Sequence, residues 1–280
     1  MLTRVIFNQK GGVGKSSIAV NLAAMSAHQG LRTLLIDLDP QCNATQYIIG
    51  DAATDIHPAH ITEPNIENFF SQTLQATSSP MPMMFAFPFG GMTGSRNQGL
   101  DQCIHTTRFD NLSLIPASPM LADILQPLES KHKIYKLKDG LNLLSQQFDR
   151  VYIDTPPAFN FFTLSALIAA DRVIVPFDCD IFSKRALQTL VQNILETRQD
   201  HNSDLLIEGI IVNQFDPRAN LPKEVVQTLV NEGYPVYETK LSPSIIMKQS
   251  HHQSLPLIYL DAKHKLTQQY AALYQEIESR

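Results

Sequence analysis

The chain has 280 residues, of which 44% are hydrophobic and 18% are charged, and its formal net charge is −5. That length is enough to bury a large α/β core. The acidic balance excludes a surface that is basic all over, so contact with nucleic acid would need a local patch. No stretch approaches the ~20 apolar residues that a membrane-spanning helix needs. Because Cys42, Cys103 and Cys179 form no C-x-x-C pair, we expect reduced thiols in a cytoplasmic protein.

Short apolar runs predict buried strands along the chain. They are rich in β-branched residues and leucine and show little alternation, which is typical of strands covered on both faces. The runs are Val5–Phe7, Thr33–Ile36, Leu112–Ile115, Val151–Ile153, Arg172–Pro176 and Ile207–Val212. Helical patterns lie between them, and the first of these ends at Gly30. This alternation predicts an α/β fold, a doubly wound and mostly parallel sheet with helices on both faces.

One irregular segment interrupts a single domain that we expect to span residues 1–280. It covers about residues 76–100, where Pro80, Pro82 and Pro88 exclude a regular helix or central strand. Its methionines and phenylalanines suit either an adaptable surface for a partner or a lid that folds back on the domain. We favour the lid, because exposed side chains of this size would lower solubility.

A glycine-rich loop follows the first predicted strand and precedes the first helix. It reads Gln9-Lys10-Gly11-Gly12-Val13-Gly14-Lys15-Ser16. The glycines permit backbone angles that turn successive N–H groups toward one anion, and the helix N-terminus adds to the attraction. Lys15 is placed to reach the β- and γ-phosphates, and the Ser16 hydroxyl to ligate Mg²⁺. The sequence therefore predicts a P-loop ATPase that binds ATP and Mg²⁺ through residues from Lys10 to Ser17.

The loop departs from the common G-x-x-x-x-G-K-[ST] pattern. Gln9 replaces the first glycine, and Lys10 is a second lysine. This pattern resembles the deviant Walker A loop of the ParA/MinD family of dimerising ATPases, and most of all that of the short, Soj-type ParA proteins. The resemblance implies that Lys10 reaches across an ATP-sandwiched homodimer to the partner's phosphates. It assigns Lys10 and Lys15 to catalysis.

Carboxylates follow two of the predicted strands. Asp37 and Asp39 belong to a D-x-D-P-Q motif that resembles the family's first switch, and Asp154 resembles the Walker B aspartate. The resemblance implies that Asp39 orients the attacking water. With Ser16, the three aspartates would then form the magnesium site. A single aspartate after a strand is more often a helix cap or turn residue, but the family order of these motifs favours the functional interpretation.

The resemblance also extends to the later part of the chain. Asn213 follows the last predicted strand where relatives contact the base, although an asparagine in a turn needs no ligand to explain it. Leu241–Leu260 loosely resembles the family's carboxyl-terminal loop and last strand.

The family divides by target into DNA-binding, membrane-binding and metabolic or iron–sulfur members. The last predicted helix, Lys263–Arg280, carries one apolar stripe, namely Leu266, Tyr270, Leu273 and Ile277. Glu276 and Glu278 stand where a membrane-surface helix would carry lysine or arginine, so docking against the core is favoured over a MinD-type membrane helix. An iron–sulfur role lacks paired cysteines, and an amidating synthetase would need a further substrate domain.

DNA binding is the target that the resemblance favours. From Ile210 to Arg280, seven lysines and arginines oppose seven acidic residues, so this part of the chain is neutral without its histidines. The residues that lie where relatives place basic DNA contacts are Lys240, Lys248, His251 and His252. Each is equally explained as an ordinary solvated residue, but a dimer doubles any patch that they form.

The resemblance implies an ATP-dependent dimerising ATPase that binds DNA non-specifically. Its task would be to partition or position a cargo such as a plasmid, a chromosome region or a protein assembly. Its intrinsic ATP hydrolysis would be weak, and a ParB-like or other adaptor protein would stimulate it. The protein would be cytoplasmic and associated with the nucleoid.

Overall fold

The computed structural model describes residues 1–50, 63–75, 99–131, 133–179 and 183–280. Most of the irregular segment predicted at 76–100 lies outside these ranges, so neither the lid nor the partner surface is tested. At its end, Leu100 is buried and begins a short 3₁₀ helix, Leu100–Cys103.

Seven strands of the described residues form one sheet. They are β1 (Leu2–Ile6), β2 (Thr33–Asp37), β3 (His105–Thr106), β4 (Leu112–Ile115), β5 (Arg150–Asp154), β6 (Arg172–Asp178) and β7 (Leu206–Asn213). Their order is β3-β4-β2-β5-β1-β6-β7, and every neighbouring pair is parallel except β3–β4. The predicted strands are confirmed. Strand β3 was not predicted, because two polar residues at a sheet edge carry no apolar signal.

Helices cover both faces of the sheet. They are α1 (Lys15–His28), α2 (Asn43–Ile49), α3 (Ile66–Gln75), α4 (Leu121–Lys131), α5 (Lys136–Leu143), α6 (Phe161–Ala169), α7 (Ser183–Asp200), α8 (Asn220–Asn231), α9 (Ile245–Gln253), α10 (Leu257–Leu260) and α11 (Lys265–Glu278). Side chains of α3 to α8 form one apolar core, and those of α1, α2 and α9 to α11 form the other. The doubly wound α/β fold is therefore confirmed.

The last helix docks on the domain, as its sequence predicts. The apolar stripe of α11 is buried, and the helix packs against α1 on one face of the sheet. Among the described residues, no helix has both the length and the apolar character needed to cross a membrane.

The prediction of a strand within Leu241–Leu260 is wrong, because this segment forms α9 and α10. The side chain of Ser244 accepts a hydrogen bond from the backbone N–H of Ile246, which satisfies one of the unpaired donors at the start of α9. Pro256, which has no N–H to give to a strand ladder, precedes the first residue of α10.

A buried ion-pair cluster ties β1 to β7 and α11. The side chain of Arg4 is 2% exposed, and its Nε lies 2.8 Å from Glu208 Oε2. Its Nη1 lies 2.6 Å from Oε1 of Glu278, which also pairs with Arg150. Since a buried guanidinium is costly without partners, these contacts fix the first strand against the end of the chain.

We predict that Glu208→Ala destabilises the fold. It leaves Arg4 with only part of its compensating charge, and breaking a buried pair in this way costs about 3–5 kcal/mol, with the lower end expected because Glu278 remains. The measurement is urea unfolding at neutral pH. The control, Glu224→Ala on the exposed side of α8, should change the free energy of unfolding by no more than about 0.5 kcal/mol. Equal effects of both variants would contradict the role of the cluster.

Candidate functional site

The glycine-rich loop joins β1 to α1 at the carboxyl end of the sheet. Gly12 and Gly14 have φ values of 78° and 90°, in the left-handed region that favours glycine. At Gly14, a Cβ would lie 2.5 Å from Nδ2 of Asn213. The loop therefore requires glycine at position 14 for both its backbone angle and its packing.

Lys15 opens α1 and lies inside the cavity that the loop surrounds. Its side chain is buried, and Nζ donates to the backbone oxygen of Lys10 at 3.2 Å. Burial lowers the pKa of Lys15, while the carboxylates of Asp154 and Asp39 act in the opposite direction. The amine is thus held between the loop backbone and the strand-end carboxylates, which is where a bound phosphate needs a cation.

Lys10 occupies a different environment from Lys15. Its Nζ lies 2.8 Å from Oδ2 of Asp178, the last residue of β6, and the two side chains are 34% and 31% exposed. Within one chain, the second lysine of the loop is therefore directed to a partly exposed carboxylate.

The strand-end carboxylates come together as predicted. Asp37 and Asp154 stand opposite each other in the parallel register of β2 and β5, and both side chains are fully buried. Asp37 accepts hydrogen bonds from the backbone N–H of Thr45 at 2.8 Å, from its hydroxyl at 2.7 Å, and from the N–H of Asp39 at 3.0 Å. Asp39 in turn accepts from the N–H of Gln41 at 2.9 Å.

Asp154 is the least compensated of these carboxylates. Neither of its oxygens has a hydrogen-bond partner of ordinary geometry among the described residues. Burial, followed by the charge of Asp37, raises the pKa of Asp154 well above its usual range, and the nearby Ser16 hydroxyl offsets this only in part. Burial also raises the pKa of Asp37 to about 6, against the opposing effect of its hydrogen bonds from Thr45.

Two adjoining cavities open around the loop. The first, of about 590 Å³, is polar and is lined by the loop glycines, Lys15, Ser16 and Asp39. The second, of about 520 Å³, has an apolar wall that includes Ile245 and Met247 of α9. The residues that line both cavities are Gly12, Gly14, Ser17 and His251. A polar cavity beside one with an apolar wall suits a ligand that has an anionic end and an apolar end.

Asn213 lies at the second cavity, where the sequence places a base contact. Its Nδ2 donates to the backbone oxygen of Val13 at 2.9 Å, so the amide also ties β7 to the loop. Its role toward a base stays a prediction.

The four residues considered for DNA contact do not share one environment. Lys240 is half-buried and donates to the backbone oxygens of Tyr237 and Glu238, both at 2.8 Å, and burial lowers its pKa. Nε2 of His251 lies 2.9 Å from the hydroxyl of Ser17. Lys248, His251 and His252 are all exposed on α9, but the ring of His251 is engaged by Ser17. Lys248 and His252 are therefore better placed than Lys240 and His251 to meet an external polyanion.

Sequence reasoning missed Asp178 and Thr45 as residues of the site, and it considered His251 only for DNA contact. Asp178 ends a strand as Asp37 and Asp154 do, so the same positional rule applied to β6 would have found it. Thr45, which holds Asp37 from eight positions away, belongs to no motif, and His251 lies 234 positions from Ser17, which it meets.

Comparison with known proteins agrees with this geometry. The family model described as an AAA domain matches residues 1–207. The chain is 31% identical to the chromosome partitioning protein ParA of Myxococcus xanthus, over 98% of this chain and 87% of that protein. It is 28% identical to the sporulation initiation inhibitor protein Soj of Bacillus subtilis, over 97% of this chain and 96% of that protein.

The fold is also found among solved structures. The ATP complex of a McdA variant from Cyanothece is 20% identical, with a TM-score of 0.77 over 100% of this chain and 96% of the McdA chain. At that identity the likeness shows the fold alone. The family is shown by the match to the family model and by the identity to the partition protein, together with the glycine-rich loop and the strand-end carboxylates. The chain belongs to the ParA/MinD family of deviant Walker A P-loop ATPases.

Proposed function

We propose that the chain is an ATP-driven dimerisation switch that binds DNA non-specifically and partitions or positions a cargo. As a member of its family it is an ATP hydrolase, with ATP and Mg²⁺ as its cofactors. The observation that supports the dimerisation switch is that the two loop lysines lie in different environments. Lys15 is buried in the chain's own phosphate cavity, whereas Lys10 is held at a partly exposed position.

The residues around Asp154 fit a magnesium ion. No group of three or more His, Cys, Asp or Glu in the part of the chain described here is arranged to hold a metal by itself. Mg²⁺ instead keeps several waters and binds through one or two protein oxygens plus phosphate. Ser16 and Asp154 would hold it in this way. The ion would neutralise charge on the phosphates and on the buried carboxylate.

The ion pair between Lys10 and Asp178 is partly exposed and therefore weak. Exposed ion pairs contribute about 0–1 kcal/mol, so exchanging Asp178 for a neighbouring subunit's phosphate costs little. In the dimer, the ATP phosphates would contact Lys15 of their own subunit and also Lys10 of the neighbouring subunit. ATP would then link the two subunits. This supports the assignment of Lys10 to the homodimer.

Asp39 is proposed to orient the attacking water. It lines the polar cavity near Lys15, and the N–H of Gln41 fixes one of its oxygens. Phosphoryl transfer needs an in-line water and fixed cations more than covalent help from the protein. Slow intrinsic hydrolysis, stimulated by a ParB-like or other adaptor, would then set the lifetime of the dimer.

DNA binding is assigned to Lys248 and His252 on α9. Both are exposed, and a dimer would present two copies on one rigid body. The partition proteins among the relatives support a chromosomal or plasmid cargo and a cytoplasmic, nucleoid-associated location.

Asp154→Asn should separate metal binding from folding. Because the pKa of Asp154 is raised above the ordinary 3.8, the charged form destabilises the nucleotide-free fold, and this cost grows as pH rises through and above that value. The variant should therefore be at least as stable as wild type at pH 7, yet lose about 10- to 100-fold in Mg²⁺-dependent ATP affinity. Urea unfolding and ATP titrations with and without Mg²⁺ measure both. Unchanged magnesium dependence would remove Asp154 from the metal site.

Asp39→Ala should trap the ATP dimer, since it removes the group that orients water but none that grips phosphate. Light scattering after size exclusion in ATP and Mg²⁺ should show a stable dimer, whereas Asp39→Ala combined with Lys10→Ala should stay monomeric. Asp123→Ala, an exposed change on α4, is the control. A monomeric Asp39→Ala variant would overturn the switch, and wild-type turnover would exclude Asp39 from catalysis.

Lys248→Ala should weaken the binding of the ATP dimer to DNA of any sequence. Losing one phosphate contact per subunit reduces the slope of log affinity against log salt by about 1.8 per dimer. Mobility shifts of the Asp39→Ala dimer over several salt concentrations test this, with Lys223→Ala on exposed α8 as control. An unchanged slope would place the DNA surface elsewhere, and binding that is independent of ATP would refute the coupling.

A further inference from the structure

A histidine from the carboxyl-terminal part of the chain meets the first turn of the helix that follows the phosphate loop. His251, on α9, has its Nε2 2.9 Å from Oγ of Ser17, which is 234 positions away in sequence. Ser17 is the third residue of α1, after Lys15 and Ser16. A long-range polar contact is thus built onto the edge of the nucleotide site.

The contact lies where the two cavities join. Ser17 and His251 line both the polar cavity and the apolar one. A nucleotide with its terminal phosphates near Lys15 and its base near Asn213 must pass this boundary between them. A nucleotide bound in this way would carry the phosphate attached to its ribose across this boundary, opposite the Ser17 hydroxyl.

The imidazole is held from its other side by α2. The ring of Tyr47 meets that of His251 edge to face, with centroids 4.5 Å apart and planes at 79°. Tyr47 is itself buried, accepts a hydrogen bond from Nδ2 of Asn21 at 3.1 Å and bonds the hydroxyl of Ser250. Three elements therefore fix the histidine, namely α1, α2 and α9.

The protonation state suits an orienting role. His251 is accessible to solvent, yet the protein that surrounds the ring lowers its pKa, so the neutral form dominates at neutral pH. A neutral imidazole with its proton on Nε2 donates to Ser17 Oγ and leaves the serine proton for a phosphate oxygen. The opposite tautomer would turn serine lone pairs toward the phosphate, so an anion favours the first arrangement.

We propose that His251 is a positioning residue for the nucleotide, whose Nε2–H aims the Ser17 hydroxyl at the phosphate next to the ribose. This rests on the ATP site of the proposed function, but not on dimerisation or DNA binding. It makes α9, which also carries Lys248, a direct neighbour of the bound nucleotide.

The test is a double-mutant cycle measured by calorimetric titration with Mg·ADP and with a non-hydrolysable Mg·ATP analogue. His251→Ala should weaken both ligands by about threefold to tenfold, the range of one hydrogen bond, because the phosphate next to the ribose is common to both. Ser17→Ala should cost the same, and His251→Ala should add nothing in that background. His251→Gln, which keeps an N–H donor, should restore most of the affinity.

The controls separate this inference from the ATP site itself. Gln249→Ala changes an exposed residue of the same helix and should leave the affinity unchanged. Lys15→Ala should abolish tight binding. If Lys15→Ala has no effect, the ATP site is wrong. If Lys15→Ala behaves as expected while His251→Ala binds normally, acts additively with Ser17→Ala or weakens the ATP analogue alone, the role of His251 is wrong.

Discussion

Two carboxylates buried side by side at the centre of the sheet are the constraint on which the rest of the site depends. Asp37 and Asp154 are placed opposite each other by the pairing of β2 with β5, and neither reaches water. Asp37 is compensated by Thr45 and by the backbone of Asp39. Asp154 has only the field of nearby Lys15 and Ser16 to offset its charge. A cation brought by a nucleotide therefore relieves an electrostatic cost that the fold has already incurred.

The two lysines of the phosphate loop differ in their exposure to solvent. Lys15 is fixed in the interior, where its charge acts most strongly on phosphate. Lys10 lies nearer the surface, in a weak pair with Asp178, and its contact is the one that we propose a second subunit replaces. The helices behind the loop are joined by polar contacts, among them Ser17 with His251. Helix α9 therefore contributes His251 to the same cavity as the phosphate loop and Asp39.

The sequence predicts those parts of the molecule that obey local rules. Apolar runs without alternation mark the parallel strands, and the glycine spacing marks the anion loop, because each signal lies within a few residues. Strand β3 gives no such signal, since it pairs at the edge through two polar residues. The loop and strand that a loose family resemblance implies for Leu241–Leu260 are instead α9 and α10, where Ser244 caps the first helix. The contact of Ser17 with His251 joins residues 234 positions apart, so no local pattern reveals it.

The cluster around Arg4 has a consequence for how the protein is made. Strand β1 precedes β5 and β6 in the chain but lies between them, and its arginine is neutralised by Glu208 and Glu278, which follow later still. Strand β1 therefore reaches its native surroundings only after β7 and α11 have been synthesised. Until then the apolar side of α1 lacks the helix that covers it, which is the condition under which nascent chains recruit chaperones. The nucleotide-binding loop accordingly precedes in the chain several of the elements that hold β1 and α1 in place.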